Sequence, residues 1–287
     1  MKKALFLRIT IFAVFAALAA SCSSAPKNAG DIYHLRSLAE KELDLANREA
    51  GRGNFDLALS FLVECKRRAV LADDMSLTIR SCLSLGNVLF SVNRREEAFA
   101  EWEQAIDLSQ ELKNSELLSV SRIFNARGKL LSGGASAQAV LDEVTREASN
   151  IKSDNLYIAL SWQVRGLALR GIRSFSQAED AVKRSLDIHL KERYLENASY
   201  DWYLIASIRS LSGNAAGAIS ALEEAIALDR RIENSWGLAA SWRAAGDIYR
   251  NAGNSAQAAQ AYNRARAIYL AMGDSGGAAE IDKRMGN

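Results

Sequence analysis

Apolar and small residues recur along this chain three and four positions apart, in blocks parted by short polar breaks, which is the spacing of one face of an α-helix. Cys82, Leu85, Gly86 and Leu89 form one such block and Ala98, Trp102 and Ala105 the next, with the break near Asn93. Two antiparallel helices joined by a turn account for both. Gly86 and Ala98 are then expected to be small because the two backbones approach closely where they cross. Val, Ile and Thr never gather into alternating runs, and the only proline, Pro26, precedes the helical pattern. The expectation is an all-α body.

The pattern also repeats. Ala46, Gly86, Ala126, Gly166, Ala206 and Gly246 lie on a strict 40-residue register. A period of that size marks units that cannot bury their apolar faces alone and stack on their neighbours, presenting one long surface. A second-helix column runs through Ala58, Ala98, Ala178, Ala218 and Ala258, followed by Leu62, Trp102, Val182, Leu222 and Tyr262. Six copies cover about residues 31–272. In the last of them Trp242, Ala245, Gly246, Tyr249, Gly253, Ala258, Tyr262 and Ala265 stand in the order and spacing of a tetratricopeptide repeat, a family this chain resembles. The longer period resembles the subtype found in the Pins/LGN adaptors. The resemblance implies an α-solenoid of six helical hairpins with a peptide-binding concave groove.

One copy departs from the rule. Ala126 keeps register, but the second helix after the extra Gly133 and Gly134 fits only when shifted by two, through Val140, Leu141, Val144 and Ala148. Beyond Gly273 the segment DSGGAAEIDKRMGN reads as a short helix capping the last hairpin.

Composition narrows the class without changing it. With 49% apolar and 24% charged residues the chain can build a core and is neither disordered nor polytopic. Residues 1–21 carry Lys2, Lys3 and Arg8 and then an apolar stretch from Ile9 to Ala20, too short to span a bilayer, as in an export signal. Leu18-Ala19-Ala20-Ser21-Cys22 resembles a bacterial lipobox, although the leucine stands one position early. That resemblance implies a lipidated Cys22, with residues 22–30 as a tether and 31–287 as the repeat domain. Simple secretion, with cleavage near Ala19 or Ser21, is the competing reading. Ser23, where lipoproteins of the inner membrane carry Asp, implies the outer membrane, facing the periplasm. Loss of the signal takes the formal charge from +2 to −1, which argues against nucleic acid as a partner.

If Cys82, Leu85, Gly86 and Leu89 face the partner helix, then Leu83, Asn87 and Phe90 face the inner wall, and the register carries that face along the array. Its candidate binding residues are Leu83, Asn87, Phe90, Arg127, Gln163, Arg170, Tyr203, Arg243, Asp247 and Arg250. Asn87 and Arg127 fall where the Pins/LGN subtype holds peptide backbone and carboxylates. The front of the groove is apolar and the rear polar, which suits an extended peptide or a partner helix. His34 and His189 are isolated and read as surface or packing residues. No phosphate loop, nucleophile order, metal spacing or cofactor motif is present, so no catalytic residue and no metal site is assigned. Cys65 and Cys82 are either a disulfide between neighbouring hairpins or two separate buried thiols. The expected function is a non-catalytic, membrane-anchored scaffold that binds an envelope protein. Self-assembly into a homo-oligomer, a small-ligand-binding accessory role and a place in an envelope transporter are the alternatives.

Overall fold

The structure, a computed structural model, describes residues 34–286. The export signal, the lipidated Cys22 and the tether lie outside the described residues. Among these residues there are thirteen helices and no strand. Six consecutive hairpins are formed by α1 (His34–Gly51) with α2 (Phe55–Leu71), α3 (Met75–Ser91) with α4 (Arg95–Glu111), and α5 (Ser115–Ser132) with α6 (Ala137–Ala148). They continue through α7 (Asn155–Gly171) with α8 (Phe175–Lys191), α9 (Leu195–Leu211) with α10 (Ala215–Ile232), and α11 (Ser235–Asn251) with α12 (Ser255–Ala271). The capping helix α13 (Ser275–Met285) buries Ala278 and Ile281.

The 40-residue register resolves into two equal steps. Most helices are 17 residues long and are joined by three residues. The middle residue of the connector takes positive φ at Gly53, Asp73, Asn93, Lys113, Arg173, Arg193, Gly213, Gly253 and Gly273, a left-handed turn that stops one helix. The residue after it starts the next. Asp74, Asn114, Asp154, Asn214, Asn234 and Asp274 each accept a hydrogen bond from a backbone N–H in the following first turn. The third hairpin keeps the period by compensation, because its turn is lengthened at Gly133 and Gly134 while α6 has only 12 residues. Val140 and Val144 are buried at the shifted positions, as expected, and Ala148 is half-buried.

The small residues of the register do face the second helices, but the reason differs from simple backbone approach. A methyl group at Gly86 would enter the indole of Trp102, and one at Gly246 the ring of Tyr262. At Gly166 it would strike Val182 and come 3.2 Å from the carbonyl of Ala178, so close backbone packing governs only there. Glycine at the other two sites is the socket for an aromatic ring.

Curvature brings the first hairpin back onto the last two. Phe55 at the start of α2 meets Trp236 at the start of α11 edge-on, with ring centres 5.0 Å apart, and Trp236 in turn meets Tyr269 at 6.0 Å. Arg52 pairs with Glu233 at 3.3 Å, and Gly53 packs on Met272. Gly51 lies against Glu196 and Asn234. This clasp closes the array into a coil of one turn. Its rim holds two carboxyls with raised pKa: desolvation and then the charge of Asp229 push Glu196 up to about 7, and desolvation pushes Asp229 up to about 6. An acid with a raised folded pKa contributes most below its unfolded value, near 4, and that contribution is lost as pH climbs to the folded value. Glu196→Gln, which fixes the neutral form, is therefore expected to melt above the parent by a margin that widens between about pH 5 and pH 7 and then levels off. Thermal melts across that range check it, and a margin that narrows with pH contradicts it.

Candidate interaction surface

First helices two hairpins apart reach each other. Arg80 on α3 lies against Tyr157 on α7, and the charge of Arg127 on α5 is felt at Tyr200 on α9. Such meetings require the inner side of a curved array, so the first helices form the concave wall and its side chains face one another across the coil.

At the middle of that wall Arg127 and Asn87 are joined, with Arg127 Nη2 donating to Asn87 Oδ1 at 2.6 Å. The guanidinium carbon sits 5.2 Å from the centre of the Phe124 ring, and its Nε is buried without a hydrogen-bond partner. No carboxylate among the described residues bonds it. Desolvation consequently holds the Arg127 guanidinium below the usual arginine range. Tyr200 continues the surface, stacked on Tyr203 with ring centres 6.1 Å apart and planes 13° from parallel. Arg170 follows, its Nη1 donating to Ser207 Oγ at 2.9 Å. Asn87, Arg127, Arg170 and Tyr203 thus form a connected polar and aromatic strip, to which the structure adds Tyr200 and Ser207.

Other candidates are placed differently. Leu83 and Gln163 are only 2% and 3% exposed, so the first of the three wall columns is packing between hairpins in the front of the array, not an accessible wall. Gln163 Nε2 donates to Asp201 Oδ1 at 2.8 Å, and Asp201 Oδ2 lies 2.6 Å from His189 Nδ1, all within the interior. Phe90 is half-buried against Phe99 and Trp102. Asp247 and Arg250 hold the capping helix: Asp247 accepts from Tyr262 at 2.6 Å and from Arg284 at 2.7 Å, while Arg250 donates to the Arg284 carbonyl at 3.1 Å. Arg243 is half-buried near Tyr269.

The polar interior has the makings of a seam and not of a nucleophilic centre. Ser185 Oγ lies 3.4 Å from the same His189 nitrogen that Asp201 uses, and Nε2 is buried with no partner. A serine nucleophile would need the opposite ring nitrogen and a path for substrate. Cys65 and Cys82 are separate, fully buried thiols, pushed by burial up to about 11 and about 12, so neither offers a thiolate near neutral pH. Among the described residues no cluster of His, Cys, Asp or Glu could hold a metal ion, and no helix is long and apolar enough to cross a membrane.

A run of stacked antiparallel helical hairpins with socketed small residues defines the class, a tetratricopeptide-type α-solenoid. The family model described as tetratricopeptide repeat matches residues 202–232, within the hairpin of α9 and α10, and the fold of the described residues agrees with that repeat type. Among solved structures the chain is similar to BtubC from P. vanneervenii, with 16% identity over 82% of this chain and 92% of that one and a TM-score of 0.53. It is also similar to a Rap protein complexed with Competence and Sporulation Factor, with 12% identity, 85% and 72% coverage and a TM-score of 0.58. A kinesin light chain-like repeat protein of Podosopora anserina shares 17% identity over 69% of this chain and 97% of its own, with a TM-score of 0.49. No curated protein matches the chain by sequence.

Proposed function

We propose that the protein is a non-catalytic interaction scaffold whose concave wall receives a segment of a partner protein, and that it is tethered by a lipid on Cys22 to the periplasmic side of the outer membrane. The observation that carries the binding reading is Arg127. Its guanidinium is part-buried, bonded to one neutral amide and left with a buried, unused Nε. A buried charge in that state is costly unless a ligand completes it, and a peptide carboxylate or carbonyl does so with charge-assisted hydrogen bonds. The Rap protein, whose fold is similar, is complexed with Competence and Sporulation Factor, which supports a ligand-binding use of this architecture. The lipid anchor rests on the sequence before Ser23 alone.

The test is affinity capture from detergent-solubilised envelopes with the parent chain and with Asn87→Ala/Arg127→Ala. The double variant is expected to keep its helical circular dichroism and to recover the partner at a tenth or less of the parent level, about the effect of losing one charge-assisted hydrogen bond. Equal recovery would remove Arg127 from the binding surface. Running Cys22→Ser alongside reads the anchor, because a chain that cannot be acylated should leave the membrane fraction.

A further inference from the structure

Between the turn ends of the fourth, fifth and sixth hairpins lies a cleft of about 620 Å³, in the range of ligand pockets. Its base is apolar, from Ala206, Ala244 and Ile248, and Leu211 stands at it 56% exposed. Tyr203, Ser207 and Ser210 add hydroxyls to its lining, and Arg170 and Arg173 add two cations. Arg170 bonds only the neutral Ser207, and Arg173 lies 5.7 Å over the ring of Phe175, its backbone fixed at φ 63° by the hairpin turn. Neither has a carboxylate partner among the described residues. The one acid lining the cleft, Asp247, is already saturated by Tyr262, Arg250 and Arg284. The cleft therefore presents two unneutralised guanidiniums beside an apolar base.

We infer that this cleft is a specificity subsite that takes an acidic side chain, Glu or Asp, of the bound partner segment, with a neighbouring apolar residue seated against Leu211 and Ile248. The inference rests on the reading of the concave wall as a peptide-binding surface and names what that surface selects. Charge complementarity carries it. A guanidinium recognises a carboxylate through paired, charge-assisted bonds, whereas an amide of the same shape offers no charge and only one acceptor oxygen. Arg170 is already orientated by Ser207, so less of its side-chain freedom remains to be lost on binding.

The probes are the capped peptide acetyl-Ala-Leu-Glu-Leu-Glu-Ala-amide, its Gln counterpart, and the Gln peptide with a free C-terminal carboxylate, each titrated calorimetrically into the folded chain. The Glu peptide is expected to bind about tenfold more tightly than the Gln peptide, and that preference should collapse in Arg170→Gln/Arg173→Gln, where the glutamine at 170 can still reach Ser207. The preference should also shrink at high salt. Equal affinity for the two capped peptides, no binding of either, or a preference that survives the double variant would overturn the subsite. Tighter binding by the free-acid peptide than by the capped Glu peptide would overturn the side-chain assignment. The outcome is separable from that of the wall itself. Loss of the wall reading shows as unchanged capture by Asn87→Ala/Arg127→Ala, while loss of the subsite shows as charge-blind binding with that capture still impaired.

Discussion

Trp102→Ala is expected to destabilise the array by about 3–5 kcal/mol, the range for deleting a fully buried large aromatic. The indole is completely enclosed, donates from Nε1 to the Leu83 carbonyl at 3.3 Å and packs on Phe90 and Phe99. Two glycines line its socket, Gly86 from the same hairpin and Gly128 from the next, and both would clash with it if they carried a methyl. The glycine walls of the cavity have no side chain to swing in, which leaves only Phe90 and Phe99 to relax toward it. Gly86→Ala should cost about 1–3 kcal/mol through overpacking when Trp102 is present, yet much less in the Trp102→Ala background. Urea midpoints for the four proteins of that cycle give the coupling. Additive effects would mean that the glycine is small for some reason other than the ring it faces.

That pairing shows what was and was not legible in the chain. The small positions, the larger apolar column opposite them, the hairpins, the shifted third copy and the capping helix all follow from helical spacing, because apolar burial is what the spacing encodes. The half-step was also present in the letters. Gly53, Gly213, Gly253 and Gly273 with Asn54, Asn214, Asn254 and Asp274 after them spell a stop and a start at twenty-residue intervals, but Asp73, Arg173 and Glu233 occupy the same left-handed position without a compositional sign. Leu83 and Gln163 were assigned to an open wall because a column was followed straight along the array, whereas helices that cross at an angle cover the start of that column with the next hairpin. Asn87, Arg127, Arg170 and Tyr203 did come together. Their neighbour Tyr200 escaped because it lies a turn earlier on α9, where it stacks on Tyr203 and comes within electrostatic reach of Arg127 only through curvature. The clasp had no local signal either, since Phe55 and Trp236 are ordinary apolar helix starts until the coil closes.

Asp201→Ala is expected to cost a comparable amount, about 3–5 kcal/mol, by breaking a buried pair while leaving its partners behind. Asp201 is fully enclosed and satisfies His189 of α8 and Gln163 of α7 at once, so truncation strands two donors in the interior. The equivalent boundary between the second and third hairpins suggests a remedy. Shifting by two registers puts Ser109 and Ser121 in the places of His189 and Asp201, where they sit 3.4 Å apart and bond their own helices instead, and it puts Leu83 in the place of Gln163. Transplanting that solution as His189→Ser/Asp201→Ser/Gln163→Leu should recover most of the loss, because every remaining polar group is then answered locally. Chemical denaturation of Asp201→Ala and of the triple variant decides it. If the single variant unfolds at the parent midpoint, the seam contributes nothing to stacking. If the triple variant is no better than the single one, the cost arises from packing volume and not from stranded donors. Distinct chemistry at equivalent boundaries also bears on assembly. His189 finds its complement in Asp201, so the seam opposes a shifted docking of the fifth hairpin on the fourth, which would strand both groups in the interior.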